Sequence, residues 1–550
     1  MKKYPLYEIE PVTDLRALLS EAAEKDGGAI AWQQIADLGE QPVDYAGLFD
    51  RIRALETALD GLGTAAAHIA AVGDGGFSGF SLMMTVLCGG GVWLPVSEEL
   101  PTDEILHILR AGDAEAVFLS EAVLPALREK AARLPGIRYF ICEGLPRDAQ
   151  DDRFLSYERL VETGRQLLAD GKAAAPAAVD PEEPALLCYT AGSAESGKGV
   201  VLTRANLLFA LNGTLSLLAP CGGRLSLLSP GTPAELLCNI LPALCEHTAI
   251  YRLEKAEELL PALRSCMPES ALLTPLQLES LYRGILASFE EQGKGELLRQ
   301  TLRKSDQLRR AGIDRRSDLF ESIREVFGGN LRRILCVGVP PRPEVSRFFD
   351  SVGIPVLPVY GLPECCGVAA MQRDLRHDPE SSGVPLPGTE VRISEPDAQG
   401  SGEILLRSDG IMKGYYNDRK ATREIIDGDG WLHTGDIGCL DGKGRLFVTG
   451  NKQTRILLKS GQTVYPEEIE GYLLEIPYVE EARVSAYAGD EGETKLCATL
   501  FLREETVSEL SDDDRLKLLK READDLNESL PSYKQLRRVR IRKTPFPKEG

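Results

Sequence analysis

The 550-residue chain is 43% hydrophobic and 27% charged, a balance that excludes disordered, collagen-like and fibrous classes, and its length is too great for one compact core. Its 63 Lys and Arg stand against 84 Asp and Glu, a formal net charge of −21, and no run of four or more basic residues interrupts that acidic field. Nucleic-acid binding and attraction to anionic membranes by bulk charge are thereby disfavoured.

The opening residues, MKKYPLYEIEPVTD, carry two lysines with no apolar core behind them, so they do not read as a secretory signal. From about residue 45, apolar strings alternate with amphipathic ones. The pattern predicts a helix over 51–62, a strand over 68–72, a helix over 80–87, a strand over 92–95, a helix over 102–111 and a strand over 116–119. That alternation argues for α/β layering with parallel strands. The longest apolar stretch, 80–96, is broken by Gly89-Gly90-Gly91 and is too short to span a bilayer, so no transmembrane segment is expected. Residues 171–184, rich in Ala, Pro and acids, read as a surface connection. After about 385 the texture changes to short strands at 403–407, 445–449 and 456–458, separated by SDG, DGDG and DGKG, which predicts a smaller β-rich region followed by a separate terminal unit. A helix is expected over 466–475, with Pro466 at its start and Glu467-Glu468 in the first turn. The twelve cysteines form no C-x-x-C pair and most lie in apolar strings such as Leu186-Leu187-Cys188, so they read as small buried hydrophobes of a reducing, cytoplasmic compartment.

Residues 185–200, ALLCYTAGSAESGKGV, run from an apolar strand into a Gly- and Ser-rich loop with one lysine, followed by Thr203, which can cap a helix. Such a loop suits phosphate, because exposed N–H groups and a cation face the anion. Gly192 to Lys198 spells G-x-x-x-x-G-K, but Gly199 stands where a P-loop needs Ser or Thr, and Glu195 places a negative charge inside the loop. Alone, the segment fits a plain surface loop equally well.

Read without gaps, however, 189–200 resembles the Y-T-S-G-T-T-G-x-P-K-G-V loop of the adenylate-forming superfamily, which contains acyl-CoA synthetases, luciferases and peptide-synthetase adenylation domains. Four further segments follow in that family's order. Tyr360-Gly361-Leu362-Pro363-Glu364 resembles Y-G-x-T-E, and Gly430-Trp431-Leu432-His433-Thr434-Gly435-Asp436 resembles G-W-x-x-T-G-D. Gly450-Asn451-Lys452-Gln453 through Ser460-Gly461 resembles the G-R-x-K-D hinge, and Pro466-Glu467-Glu468-Ile469-Glu470 the following P-x-E-I-E. The intervening text is most similar to the long-chain fatty acyl-CoA synthetase branch. The resemblance covers nearly the whole chain.

It implies an α/β fold: a large N-terminal domain, 1–452, of two α/β subdomains plus a small β-rich one, then a hinged, mobile α+β domain, 453–550. It also implies an AMP-forming ligase in which a fatty carboxylate attacks the α-phosphate of Mg-ATP and coenzyme A then displaces AMP. Lys198 and Glu364 are the expected catalytic residues, with Glu364 on Mg²⁺. Thr190, Gly192, Ser193, Gly338, Tyr360, Gly361, Asp436, Asn451, Lys459 and Gly461 are expected to contact ATP or coenzyme A. Tyr360 offers an aromatic face to adenine, and Asp436 an acceptor-only side chain to the ribose hydroxyls. The phosphate loop, 338–340, 360–364 and Asp436 should converge on one cleft at the carboxyl ends of the strands. Taken singly, Tyr360, Glu364 and Asp436 would read as a core tyrosine, a solvated acid and a turn acid.

Several positions depart from the family pattern: Ala191 and Ala194 replace hydroxyl residues, Glu195 a Gly, Gly197 a Pro, Pro363 a Thr, Asn451 an Arg and Thr454 the usual Asp or Lys. Thr232 in SPGTPAE takes the place of an aromatic or His before the acyl channel. RKTPFPKEG halts before the family's Gly-Lys, whose lysine serves adenylation, and Lys548 aligns with an earlier lysine, so either the sequence stops short of that lysine or the enzyme lacks it. Weak adenylation with preserved thioester formation is the resulting expectation. Two alternatives stay open: a catalytically impaired relative that binds nucleotide or acyl-CoA, and acyl loading of a carrier protein.

Overall fold

The computed structural model describes residues 6–35, 41–145, 151–174, 179–190, 197–338, 341–375, 378, 381–398, 400–452, 454, 456–458, 463–464, 466–474, 476, 478, 479–488, 494–503, 507, 511–530 and 532–546. They divide into two compact units, one of Met1–Pro341, Val345–Glu390 and Arg407–Leu432, the other of Arg342–Glu344, Val391–Leu406 and His433–Gly550.

The first unit contains two sheets. One runs Gly414–Tyr415, Gly199–Thr203, Pro184–Tyr189, Val92–Val96, His68–Val72, Ala116–Leu119, Tyr139–Cys142, Phe154–Ser156, with Gly199–Thr203 antiparallel to both its neighbours and the other pairings parallel. The other runs Val384–Pro385, Ala370–Met371, Val356–Tyr360, Arg333–Val337, Ser270–Leu273, Arg224–Ser226, Ile250–Arg252, Ile30–Gln34, Val43–Asp44, with a parallel centre. One continuous core lies between them, taking Ile69 and Leu202 from the first sheet and Leu272 and Leu335 from the second. The helix Gly76–Cys88 runs through that core with Phe80 to Leu87 all buried, which explains why it is apolar all round. Trp32 stacks on its Phe80 at 4.3 Å between centroids. Separate clusters cover the outer faces of the two sheets. The helix predicted over 51–62 begins earlier, at Tyr45, because Asp44 accepts from Gly47 N and caps it there.

The second unit holds a four-stranded sheet, Glu390–Ser394, Gly402–Arg407, Leu432–Leu440 and Leu446–Asn451, and a three-stranded sheet, Val479–Ala488, Thr494–Leu502 and Leu536–Arg542. Helices Pro466–Leu474 and Asp512–Ser529 pack on the latter around Val464, Ile469, Leu473 and Leu519. The β-rich segment therefore groups with the terminal residues, and position 452 lies inside this unit. Among the described residues no helix is long and apolar enough to cross a membrane.

Two buried polar features tie the first unit together. Asp74, just past strand His68–Val72, accepts from Arg252 Nη2 at 2.5 Å and from Ser229 Oγ at 2.6 Å, so the carboxyl end of one sheet is joined to that of the other. Arg252 is 3% exposed and Asp74 31%. Nearby, Glu235 leads into the π-helical turn Leu236–Ile240 and is fully buried; Asn239 Nδ2 donates to its Oε1 at 2.8 Å and to Leu225 O at 2.9 Å. Burial pushes the Glu235 carboxyl up to about 7, against the Asn239 hydrogen bond and the Arg252 charge and with the help of Asp74.

Asp74→Ala strands the Arg252 charge and should cost about 2–3 kcal/mol of unfolding free energy, the partial exposure of Asp74 holding the loss below that of a fully buried pair; a urea midpoint equal to the parent's refutes the tie. Glu235 holds its proton above the ordinary value of 4.5, so its stabilising share is complete below that pH and is lost as pH rises through 7. Glu235→Gln should accordingly flatten the dependence of unfolding free energy on pH between about pH 5 and 8, and an unchanged slope overturns the assignment.

Candidate functional site

The hairpin of Pro184–Tyr189 and Gly199–Thr203 is buried by its apolar residues, and Thr203 closes it by capping the next helix: its side chain accepts from Asn206 N, while Asn206 Oδ1 accepts from Thr203 N. At the base of the intervening loop Thr190 N donates to Lys198 O at 3.0 Å and Lys198 N to Thr190 Oγ1 at 3.1 Å. These reciprocal bonds fix where Lys198 emerges. Gly192 and Ser193 of the loop, with Ala191, Ala194 and Glu195, lie outside the described residues.

Lys198 Nζ sits over the ring of Tyr415, 4.9 Å from its centroid, and the Tyr415 hydroxyl donates to Glu364 Oε1 at 2.7 Å. The lysine is thus held by an aromatic face and the carboxylate by a phenol. Burial first, then the bond to Glu364, push the Tyr415 phenol well above the usual tyrosine range, so the hydroxyl keeps the proton it donates. Met412 N donates to Glu364 O at 2.9 Å and fixes that residue's backbone as well.

Glu364 rides on the tight turn Pro363–Cys365 that follows strand Val356–Tyr360. Leu362 O accepts from Cys365 N at 3.0 Å and Gly367 N at 2.8 Å, and Tyr360 O from Ala369 N at 2.7 Å. Pro363 opens the turn, where its missing N–H costs no bond and its fixed φ suits the geometry, so the departure from Thr is accommodated. A Cβ on Gly361 would stand 2.4 Å from the Gly367 backbone, so only glycine fits. Tyr360 is buried, and the pairing Val337↔Val359 sets Gly338 level with it at the carboxyl ends of neighbouring parallel strands. Thr190, Lys198, Gly338, Tyr360, Gly361 and Glu364 thus belong to one unit.

Asp436 and Asn451 oppose one another in the second unit, across strands Leu432–Leu440 and Leu446–Asn451. Asn451 Nδ2 donates to Asp436 Oδ1 at 2.9 Å, and Asp436 N to Thr434 Oγ1 at 3.0 Å. Asparagine at 451 therefore orients the carboxylate without bringing the cation an arginine would. Lys452 Nζ donates to Glu403 Oε2 at 3.0 Å, and Thr454 Oγ1 to Asn451 O at 2.9 Å. Lys459 and Gly461 lie outside the described residues.

Tyr415 is the member of this arrangement that the sequence did not single out. Its only signal is its place in GYYNDRK, between motif-bearing segments, whereas its partners are strand Gly199–Thr203 and Glu364. Chemically, the arrangement offers a cation to phosphate and a carboxylate oxygen to a hard cation. Among the described residues no group of three or more His, Cys, Asp or Glu makes an all-protein metal cage. One carboxylate with a lysine in the same site suits Mg²⁺, which usually completes its shell with waters and substrate phosphates.

Comparison with known proteins gives this chemistry a family. The chain is 25% identical to the long-chain-fatty-acid–CoA ligase FadD15 of Mycobacterium bovis, over 86% of this chain and 80% of that one. It is 27% identical to the peroxisomal long chain acyl-CoA synthetase 7 of Arabidopsis thaliana, over 78% of this chain and 63% of that one. It is also 26% identical to an indoleacetate–CoA ligase of Aromatoleum aromaticum, over 85% and 84%. Its fold matches that of the anthranilate CoA ligase AuaEII in complex with anthranoyl-AMP, with a TM-score of 0.76 at 17% identity over 98% of this chain and 95% of that one. ATP-bound MatB from Rhodopseudomonas palustris matches with a TM-score of 0.75 at 17% identity, over 98% and 97%. The AMP-binding enzyme profile spans residues 19–416, which takes in the phosphate-type loop, the Glu364 turn and Tyr415, and the chain belongs to that family.

Proposed function

We propose that this protein is an AMP-forming ligase that activates long-chain fatty acids and transfers them to coenzyme A. The observation that supports the adenylation chemistry is the coupling of Lys198 and Glu364 through Tyr415, which keeps a cation and a carboxylate in one site without pairing them. The choice of a fatty acid is supported by the likeness to the mycobacterial and plant relatives, and the indoleacetate ligase names the competing acid class.

In the first half-reaction a carboxylate oxygen of the acid attacks the α-phosphorus of ATP and the bond to pyrophosphate breaks. In the second the coenzyme A sulfur attacks the acyl carbon, the bond to AMP breaks and the thiol proton goes to solvent. Both reactants of the first step are anions, so their charges must be offset before they meet. Lys198, Thr190, Gly192 and Ser193 are assigned to the phosphates, Tyr360, Gly361 and Gly338 to the adenine side, and Asp436, oriented by Asn451, to the ribose hydroxyls. Glu364 would hold Mg²⁺, which supplies charge neutralisation on the phosphate oxygens. Lys459 and Gly461 are assigned to the thioester-forming face of the terminal segment 453–550, which is proposed to move between the half-reactions.

The loss of a cation at Asn451 favours a second reading, a weakly catalytic relative that binds nucleotide. Pyrophosphate release, measured with fatty acids of graded chain length, indoleacetate and anthranilate, separates the two. Binding of Mg-ATP without pyrophosphate release from any of these acids would sink the ligase reading. Thioester formed with a carrier protein but not with coenzyme A would reassign the acceptor. Lys198→Ala should lower pyrophosphate release by about 10²–10³, the cost of removing one preorganised electrostatic contact. Asp436→Ala should raise the KM for ATP about tenfold with a smaller change in kcat, as expected when a charged hydrogen bond made before the chemistry is lost.

A further inference from the structure

Glu364 and Lys198 carry opposite charges in one site and yet form no direct ion pair; each instead contacts Tyr415, the lysine over its ring and the carboxylate at its hydroxyl. Among the described residues Glu364 Oε2 accepts no hydrogen bond, and Lys198 Nζ makes no ion pair. Were the two side chains to meet, each charge would quench the other and neither would be available to a ligand. A tyrosine resolves that conflict with neutral chemistry. Its ring face attracts the ammonium without a negative charge, and its hydroxyl donates to the carboxylate without a positive one.

The backbone holds Tyr415 in that role from several directions. Gly414 and Tyr415 pair with Val201 and Val200 of strand Gly199–Thr203, the strand that directly follows Lys198. Tyr416 N donates to Gly199 O at 2.7 Å and Lys413 N to Val201 O at 2.9 Å. Tyr415 N donates to Thr422 Oγ1 at 2.8 Å, and Met412 N reaches Glu364 O. One short segment, 412–416, is therefore bonded both to the strand behind the lysine and to the residue bearing the carboxylate.

We infer that Tyr415 is a positioning residue that acts as a spacer, holding Lys198 and Glu364 apart and oriented so that the first stays available to phosphate and the second to a divalent cation. The inference rests on the ligase reading above for the identity of those ligands.

The test uses the full chain and measures ATP binding by calorimetry at graded Mg²⁺ concentrations, beside pyrophosphate release. Tyr415→Phe keeps the ring under Lys198 and removes the hydroxyl from Glu364; the Mg²⁺ concentration giving half-maximal ATP affinity should rise about 10- to 100-fold, the scale of one lost hydrogen bond to a charged group. ATP affinity at saturating Mg²⁺ should stay within about twofold, since the cation–π contact remains. Tyr415→Leu should weaken ATP binding at saturating Mg²⁺ a further several-fold. In a Glu364→Gln background the same Tyr415→Phe change should no longer move the Mg²⁺ dependence, which a loss of fold would not reproduce. An unchanged Mg²⁺ dependence in Tyr415→Phe, or an equal effect in both backgrounds, overturns the spacer role while leaving the ligase reading intact. Failure of the parent protein to bind Mg-ATP at all overturns that reading and the spacer with it.

Discussion

The first unit's site depends on one backbone constraint: strand Gly199–Thr203 is paired on both edges, with Pro184–Tyr189 on one side and Gly414–Tyr415 on the other. Because it is hydrogen-bonded twice, the strand cannot shift register without breaking both ladders and turning its buried side chains over. Lys198 immediately precedes it and Tyr415 lies directly across from it, so the distance between cation and aromatic face is a property of the sheet. The Glu364 turn is then attached to the same framework by the Tyr415 hydroxyl and by Met412 N. Side chains placed by strands in this way are more exactly located than side chains carried on loops alone.

The same economy explains the buried polar groups away from that site. Asp74, Ser229 and Arg252 link the carboxyl ends of the two sheets where apolar packing alone would leave their relative rotation loosely specified. Inside a widened helical turn Asn239 Nδ2 donates to both Glu235 and the Leu225 carbonyl, while Glu235 Oε2 and Asn239 Oδ1 are buried without a partner among the described residues. Buried polar groups of this kind are costly when unmatched and specific when matched.

Much of the architecture was legible in the amino-acid order, and the exceptions have physical causes. The helix Thr102–Ala111 and strand Ala116–Leu119 stand where periodicity puts them, because each has one clear buried face or a fully apolar run. Helices Pro275–Glu291 and Gly295–Arg310 are not among the elements expected from the sequence. Lys198, Glu364 and Asp436 were singled out through motifs, which record residue types that chemistry demands. Tyr415 and Glu235 were not, since their roles arise from partners distant in the chain: Glu364 for one, and for the other the Leu225 strand reached through Asn239. The grouping of 391–406 with the terminal residues was likewise invisible, because strand pairing between Gly402–Arg407 and Leu432–Leu440 is a tertiary fact that turn signals do not encode.

The segment Arg407–Leu432 returns to the first unit after the chain has already contributed Val391–Leu406 to the second, and leaves again at His433. During synthesis from the N-terminus, therefore, the large unit cannot acquire its edge strand Gly414–Tyr415 until part of the other unit has already emerged. Strand Gly199–Thr203 meanwhile has an open edge of the kind that invites pairing with other chains. The nascent protein passes through a stage in which its nearly finished larger half carries an unpaired strand beside Lys198, and chaperone contact or misassociation at that edge is the hazard this interleaved topology builds into its own biogenesis.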